Sequence, residues 1–246
     1  MSRQRRVPTR LVGVLVVGFD TATPAVSVAL HDGERVVSEA FAADGRRHGE
    51  LLAPMIAKVM ADAGASRADL TAVAVGVGPG PYTGLRVGVV TARVLGSVLG
   101  IPVHGVCSLD VIAAATPTRG EFLVATDARR KEVYWARYDA GRRLEGPLVG
   151  SAGSIARAAE LPVAGNGGQL YPESFGEVTG PAYPDARTLC AIVAGQLGGS
   201  AATPPPEAGP WAAGLLPRVP LLAAEPLYLR RPDAREPGPP KRVTPS

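Results

Sequence analysis

The chain has 246 residues, 46% of them hydrophobic and 20% charged. That is enough for a buried core in one large or two small domains, and it excludes a wholly disordered protein. Only 5% of the residues are aromatic, which argues against a surface built to stack bases in series. The formal charge of +4 suggests a nucleic-acid binder until it is located. Residues 1–10 carry +4 through Arg3, Arg5, Arg6 and Arg10, residues 230–246 carry +3, and the body between them is mildly acidic at −3.

Leu11–Phe19 is a β-branched apolar run ended by Asp20. Nine residues are too few to span a bilayer, and no clean small-x-small cleavage site follows, so a strand covered on both faces is expected. Thr21–Pro24 reads as a turn, Ala25–Leu30 as the returning strand, Asp32-Gly33 as a hairpin signal and Arg35–Ala42 as a third strand. The period then changes. His48, Leu51, Leu52, Met55, Ile56, Val59, Met60 and Ala63 recur at helical spacing, with Gly64 placed to end the helix. Ser66-x-x-Asp69 opens a short turn, Ala72–Val77 is a strand, and Leu85–Leu99 is a second helix stopped by Gly100 and Pro102. Val103–Val106 follows as a strand and Ser108–Ala115 as a helix.

A similar order then restarts, with strands at Phe122–Thr126, Glu132–Tyr138 and Arg142–Val149. A helix from Ser154, a short strand at Leu161–Ala164 and a helix at Ala186–Leu197 complete it. Both halves begin with a strand, an aspartate (Asp20, Asp127), a turn and a returning strand, which reads as a degenerate duplication. The expected lobes are 10–107 and 108–200. Twelve of the 24 prolines fall in residues 201–246, so that stretch is expected as a partly disordered tail, with Leu227-Tyr228-Leu229 placed to dock back.

Cys107 and Cys190 are too few for a disulfide framework or a structural zinc site and read as reduced core thiols of a cytoplasmic protein. His31, His48 and His104 include no i, i+4 pair, so no helical two-histidine metal site is expected. Ser108 beside Cys107 has no recognisable triad setting. The densest local signal is the loop Gly78-Pro79-Gly80-Pro81-Tyr82-Thr83-Gly84-Leu85-Arg86 before the second helix. Its glycines suit either close approach to a bound anion or a tight strand-to-helix turn, and it has neither P-loop nor dinucleotide spacing.

The stretches Phe19–Leu30, Ala74–Gly88 continuing to Leu109, Ala125–Tyr134 and, more loosely, Pro226–Arg230 resemble the TsaB (YeaZ) family in order and content. The resemblance implies an α/β fold of two RNase H-like lobes of the actin and sugar-kinase type, with mixed sheets flanked by helices. It implies a part in forming N6-threonylcarbamoyladenosine beside the tRNA anticodon, as a non-catalytic subunit supporting the transferase TsaD together with the ATPase TsaE. Homodimerisation is also open, and tRNA would be met through the complex. Asp20, Thr21, Thr23, Asp127 and Arg129 would lie near ATP or ADP only within that complex, with no cofactor held tightly by the chain alone.

Asp20-Thr-Ala-Thr23 and Asp127-Ala-Arg-Arg-Lys131 lack the glycines that wrap phosphates, and the second has three bulky cations instead. His48 is either a remnant of the paralogue's metal motif or a surface histidine. The family's two first-lobe helices meet counterparts on TsaD or on a second TsaB, which puts Met55, Val59, Val89, Arg93 and Gly96 at the contact. Gly84, Gly88, Ala92 and Gly96 form a small-residue ladder that permits close helix approach. The arginine-rich ends could touch tRNA phosphates, or be solvated ends in a chain with 23 Arg and 3 Lys. A self-sufficient glycoprotease-like hydrolase of the peptidase M22 kind, or a small ATPase or kinase, are the readings that compete. No membrane association is expected.

Overall fold

The computed structural model describes residues 13–45, 47–118, 120–155, 157–198 and 219–230. The arginine-rich end 1–10 and most of the proline-rich tail lie outside them. Two sheets are present. The first has order β3-β2-β1-β4-β5, built from β1 (Val16–Asp20), β2 (Ala25–His31), β3 (Val36–Ala43), β4 (Ala72–Gly76) and β5 (Val103–Val106). The first three strands run antiparallel, while β4 and β5 continue parallel to β1. The second sheet has order β8-β7-β6-β9, from β6 (Phe122–Asp127), β7 (Glu132–Asp139), β8 (Arg142–Ser151) and β9 (Val163–Ala164). Its strand directions repeat those of the first four positions of sheet one, the duplication expected from the paired strand–Asp–turn–strand patterns. The two mixed sheets flanked by helices are the expected fold class.

Strand β1 is buried on both faces, as its unbroken apolar run requires. Val17 and Phe19 face helices α1 (His48–Asp62) and α2 (Tyr82–Leu99), packing with Leu52, Val59, Leu85 and Val89. Val16 on the other face meets α3 (Ser108–Ala114) and α5 (Ala186–Gln196) through Val111, Leu189, Cys190 and Val193. Helix α3 lies between the sheets, since its Leu109 and Ile112 join Phe122, Val124 and Tyr138 of the second. The 107/108 boundary therefore parts the strands of the two sheets, but α5, from the second half, covers the first sheet.

Among the described residues the helix expected from Ser154 is absent. Ala152–Ser154 is a single 3-10 turn, followed by further turns with Arg157 at φ 61°. Ile155, Ala158 and Leu161 still face the core, because a three-residue spacing serves a 3-10-like path as well as a helix. A short helix α4 (Asn166–Leu170) was not expected, since its two glycines disguise it. Ser66 and Asp69 do close a capping box around a 3-10 turn.

Residues 219–230 return to the body, as the apolar patch at 227–229 suggested. Leu222 pairs with Gly105 on the edge strand β5, and Leu227 N donates to Val77 O at 2.8 Å. Arg230 then reaches the second lobe, donating to Ala128 O at 3.0 Å and pairing with Glu132.

Candidate functional site

Asp20 ends β1 at the mouth of the first sheet and is fully buried. Its Oδ1 accepts from Ala22 N at 2.7 Å and its Oδ2 from Ser108 Oγ at 2.5 Å, while Ser108 Oγ accepts from Gly78 N at 3.1 Å. Gly76 has no room for a side chain, because a Cβ there would overlap the Asp20 carboxylate. Burial pushes the Asp20 carboxyl up; the Ser108 and Ala22 hydrogen bonds and nearby His48 pull against it. Both oxygens thus accept from the chain itself, one from the Asp20 turn and one from the start of α3.

Thr21 Oγ1 donates to Gly84 O at 2.7 Å, and Thr23 Oγ1 accepts from Ala25 N at 3.3 Å. Both threonines are buried. The three first-lobe residues expected near a nucleotide therefore tie the Asp20 turn to α2 and β2. His48 is neither a free surface histidine nor part of a metal group: its Nε2 lies 2.7 Å from Thr23 O and holds the same turn. Among the described residues no group of three or more His, Cys, Asp or Glu is placed to hold a metal ion.

The glycine-rich loop makes a tight strand-to-helix turn. A Cβ at Gly84 would lie 2.6 Å from Thr21 O, and one at Gly88 would lie 2.5 Å from Thr21 Oγ1. The helix start is pressed onto the Asp20 turn, and the small-residue ladder faces the chain's own sheet, with Gly96 against Val103. This corrects the expected contact residues. Met55, Val59, Val89 and Gly96 are buried in the first lobe, because Met55 and Val59 belong to the side of α1 packed on β2 and β3, and Val89 and Gly96 to the side of α2 packed on β4 and β5. The uncovered face of α2 is a quarter-turn away: Val90, Val94 and Val98 are 49%, 54% and 75% exposed, with Arg93 exposed beside them.

In the second lobe, Asp127 Oδ1 accepts from Arg129 N at 2.7 Å, and the Arg129 guanidinium lies 3.5 Å from Asp127 Oδ2. Arg129, Arg130 and Lys131 have φ of 64°, 54° and 62°, a left-handed run that L residues rarely adopt. This hairpin, the glycine loop and the returning segment border one cleft of about 180 Å³, lined by Gly80, Pro81 and Tyr82, by Ala128, Arg129, Arg130 and Tyr134, and by Tyr228, Leu229 and Arg230. Three of the four stretches that carry the family resemblance therefore meet here. Of the remaining loop residues, Gly78 and Pro79 belong to the Ser108 network side of the loop, Thr83 is exposed in the first turn of α2, and Arg86 sits over the Tyr82 ring, 5.1 Å from its centroid.

A second polar cluster was missed because its members are 33 residues apart. Tyr138 Oη donates to Asp110 Oδ1 at 2.7 Å, and Arg143 pairs with the same oxygen at 3.2 Å. Burial raises the Asp110 carboxyl, and burial beside Asp110 pushes the Cys107 thiol up to about 12.

Comparison with known proteins places these features in a family. The model described as "TsaD: tRNA N6-adenosine threonylcarbamoyltransferase" matches residues 36–174, more than half of the chain. An uncharacterized protein of Mycobacterium tuberculosis is 43% identical over 227 residues, covering 89% of this chain and 93% of its own length. The chain is also 43% identical to an uncharacterized protein of Mycobacterium leprae, but spans only 56% of that relative. The tRNA threonylcarbamoyladenosine biosynthesis protein TsaB of Escherichia coli is 38% identical over 127 residues, 50% of this chain and 54% of that protein. Among solved structures, YeaZ from Pseudomonas aeruginosa superposes with a TM-score of 0.66 at 27% identity, covering 87% of this chain and 99% of that one.

Proposed function

The chain belongs to the TsaB (YeaZ) family, and from that premise we propose that it serves tRNA threonylcarbamoyladenosine biosynthesis as the partner subunit of a TsaD-type transferase. The observation that carries the partner role is the uncovered stripe Val90, Val94 and Val98 on α2. Three valines in line on one helix, next to the α1 surface, are a docking face for another helix pair. The cytoplasm is the compartment this role requires, and TsaE and tRNA would join through the complex.

Asp20 supports a structural part for the first lobe, since its carboxylate already accepts two hydrogen bonds from the chain itself. ATP or ADP would then be shared with the partner, with Arg129, exposed on the second-lobe hairpin, nearest to such a ligand. The test is to purify the chain with the TsaD homologue of its source and measure threonylcarbamoyl transfer to tRNA with and without it. Support is expected from the wild-type chain and not from Val94→Arg. Full transfer by the TsaD protein alone would sink the proposal. The same valine face would carry a homodimer, and sedimentation of the chain alone reads that out.

A further inference from the structure

We infer that the stacked pair Tyr82 and Tyr228, with Arg86 and Arg129, forms a contact surface for single-stranded nucleotides of the RNA substrate. The inference rests on the tRNA-directed reading above and adds the residues that would touch the RNA. The Tyr82 and Tyr228 rings lie 5.4 Å apart at 24°, and the Arg86 guanidinium lies against Tyr82. A cation and two aromatic planes thus make a stack, and its tyrosines remain 46% and 44% exposed. Tyrosines holding a terminal segment in place by packing alone would bury their rings. These two leave aromatic surface open beside a cleft smaller than those that take drug-sized ligands. Such a cleft suits one base.

The charges fit the same ligand. Arg86 and Arg129 are exposed near the cleft, and Arg130 lines it. Arginine beside an aromatic plane pairs with phosphate while the ring stacks on the base. Arg230 has a different part. Its ion pair with Glu132 and its bond to Ala128 O fix the hairpin, so it is a positioning residue. The left-handed run at Arg129–Lys131 lies next to this cleft, and strain of that kind clusters where a backbone is held for a ligand. An RNA loop supplies both the base and the flanking phosphates. A free nucleotide supplies the same chemistry once, so the experiment must separate the two.

The experiment measures anisotropy of a labelled, unmodified tRNA transcript titrated with the full chain, alone and with its TsaD-type partner, at several salt concentrations. Tyr228→Leu removes the π face and keeps apolar bulk, Tyr228→Phe keeps both, and Arg129→Asn keeps a residue that tolerates positive φ. Stacking of one base predicts roughly tenfold weaker tRNA binding for Tyr228→Leu and little change for Tyr228→Phe. Loss of one phosphate contact predicts weaker binding by Arg129→Asn and a salt slope lower by about 1. A parallel titration of Tyr228→Leu with ADP should show no matching loss. Equal tRNA binding by all variants overturns the inference, as do an undetectable wild-type affinity and a Tyr228→Leu loss confined to ADP. The accessory role fails separately, on the transfer assay, so the two failures are distinguishable.

Discussion

Ser108 and Asp20, 88 residues apart, share a hydrogen bond of 2.5 Å that joins the start of α3 to the end of β1. Burial raises this carboxyl's affinity for its proton in the folded state above the ordinary 3.8, and the Ser108 hydrogen bond pulls the other way without cancelling it. A folded state that binds a proton more tightly loses stability as pH rises past the unfolded value and through the folded one. This group's destabilising contribution is absent below 3.8 and complete above the folded value. Asp20→Asn removes that dependence. The melting-temperature difference between variant and wild type should therefore grow in the variant's favour from pH 3.5 to 7. A difference that stays flat or shrinks contradicts the assignment. Ser108→Ala, which strips a partner from both Asp20 and Gly78 N, should cost about 1–3 kcal/mol in denaturant unfolding.

The two faces of α2 predict opposite phenotypes. Val94→Arg or Val98→Asp changes an exposed position, so unfolding free energy should move by about 0.5 kcal/mol or less. Association with a partner chain should weaken about tenfold or more, the scale of a buried hot spot. Met55→Ala, inside the core, should cost about 2–5 kcal/mol. Calorimetry and sedimentation separate these outcomes, and an unchanged association constant for Val94→Arg removes the docking face.

Gly88→Ala weighs two known effects against each other. Alanine in a helix interior is favoured over glycine by about 0.5–1 kcal/mol. The new Cβ would sit 2.5 Å from Thr21 Oγ1, and overpacking of that kind costs about 1–3 kcal/mol. A net loss near 1 kcal/mol is expected by urea unfolding, whereas Gly49→Ala, where the space is open, should be neutral or stabilising.

The thiols offer a chemical check on the core. Cys107 and Cys190 are both buried, and burial raises both. A thiol that holds its proton is a poor nucleophile. Neither cysteine should be alkylated by iodoacetamide at pH 8 in the native protein, and both should react in guanidinium, as read by intact mass. Fast native labelling of Cys190 would place α5 off the first sheet.

Strand and helix positions were legible wherever the apolar period was long. The strand at Val16–Asp20 and the helix at 48–62 follow directly from an unbroken apolar run and from i, i+4 spacing. The side of α2 that faces inward was not, because valines occur around most of its circumference. The usable signal was the glycine ladder: Gly84, Gly88 and Gly96 mark the side on which backbone meets backbone or strand. Reading the ladder as a partner contact placed Val89 and Gly96 on the wrong surface. Other contacts left no local trace. His48 with Thr23, Asp110 with Tyr138 and Tyr82 with Tyr228 join residues whose spacing no periodicity reports.

The late position of α5 and of residues 219–230 has a consequence for how the chain is made. Cys190 lies against Val16 and Ala29, and Leu222 covers the edge of β5. The sheet translated first therefore waits for the last quarter of the chain to cover one face and one edge. Until then, Val16, Ala29 and Ala74 are exposed to other chains emerging from the ribosome. Long loops must also close before these contacts reward folding, which slows it. A ribosome stalled before residue 186 would hold an N-terminal sheet with one side bare, a substrate for chaperones rather than a folded lobe.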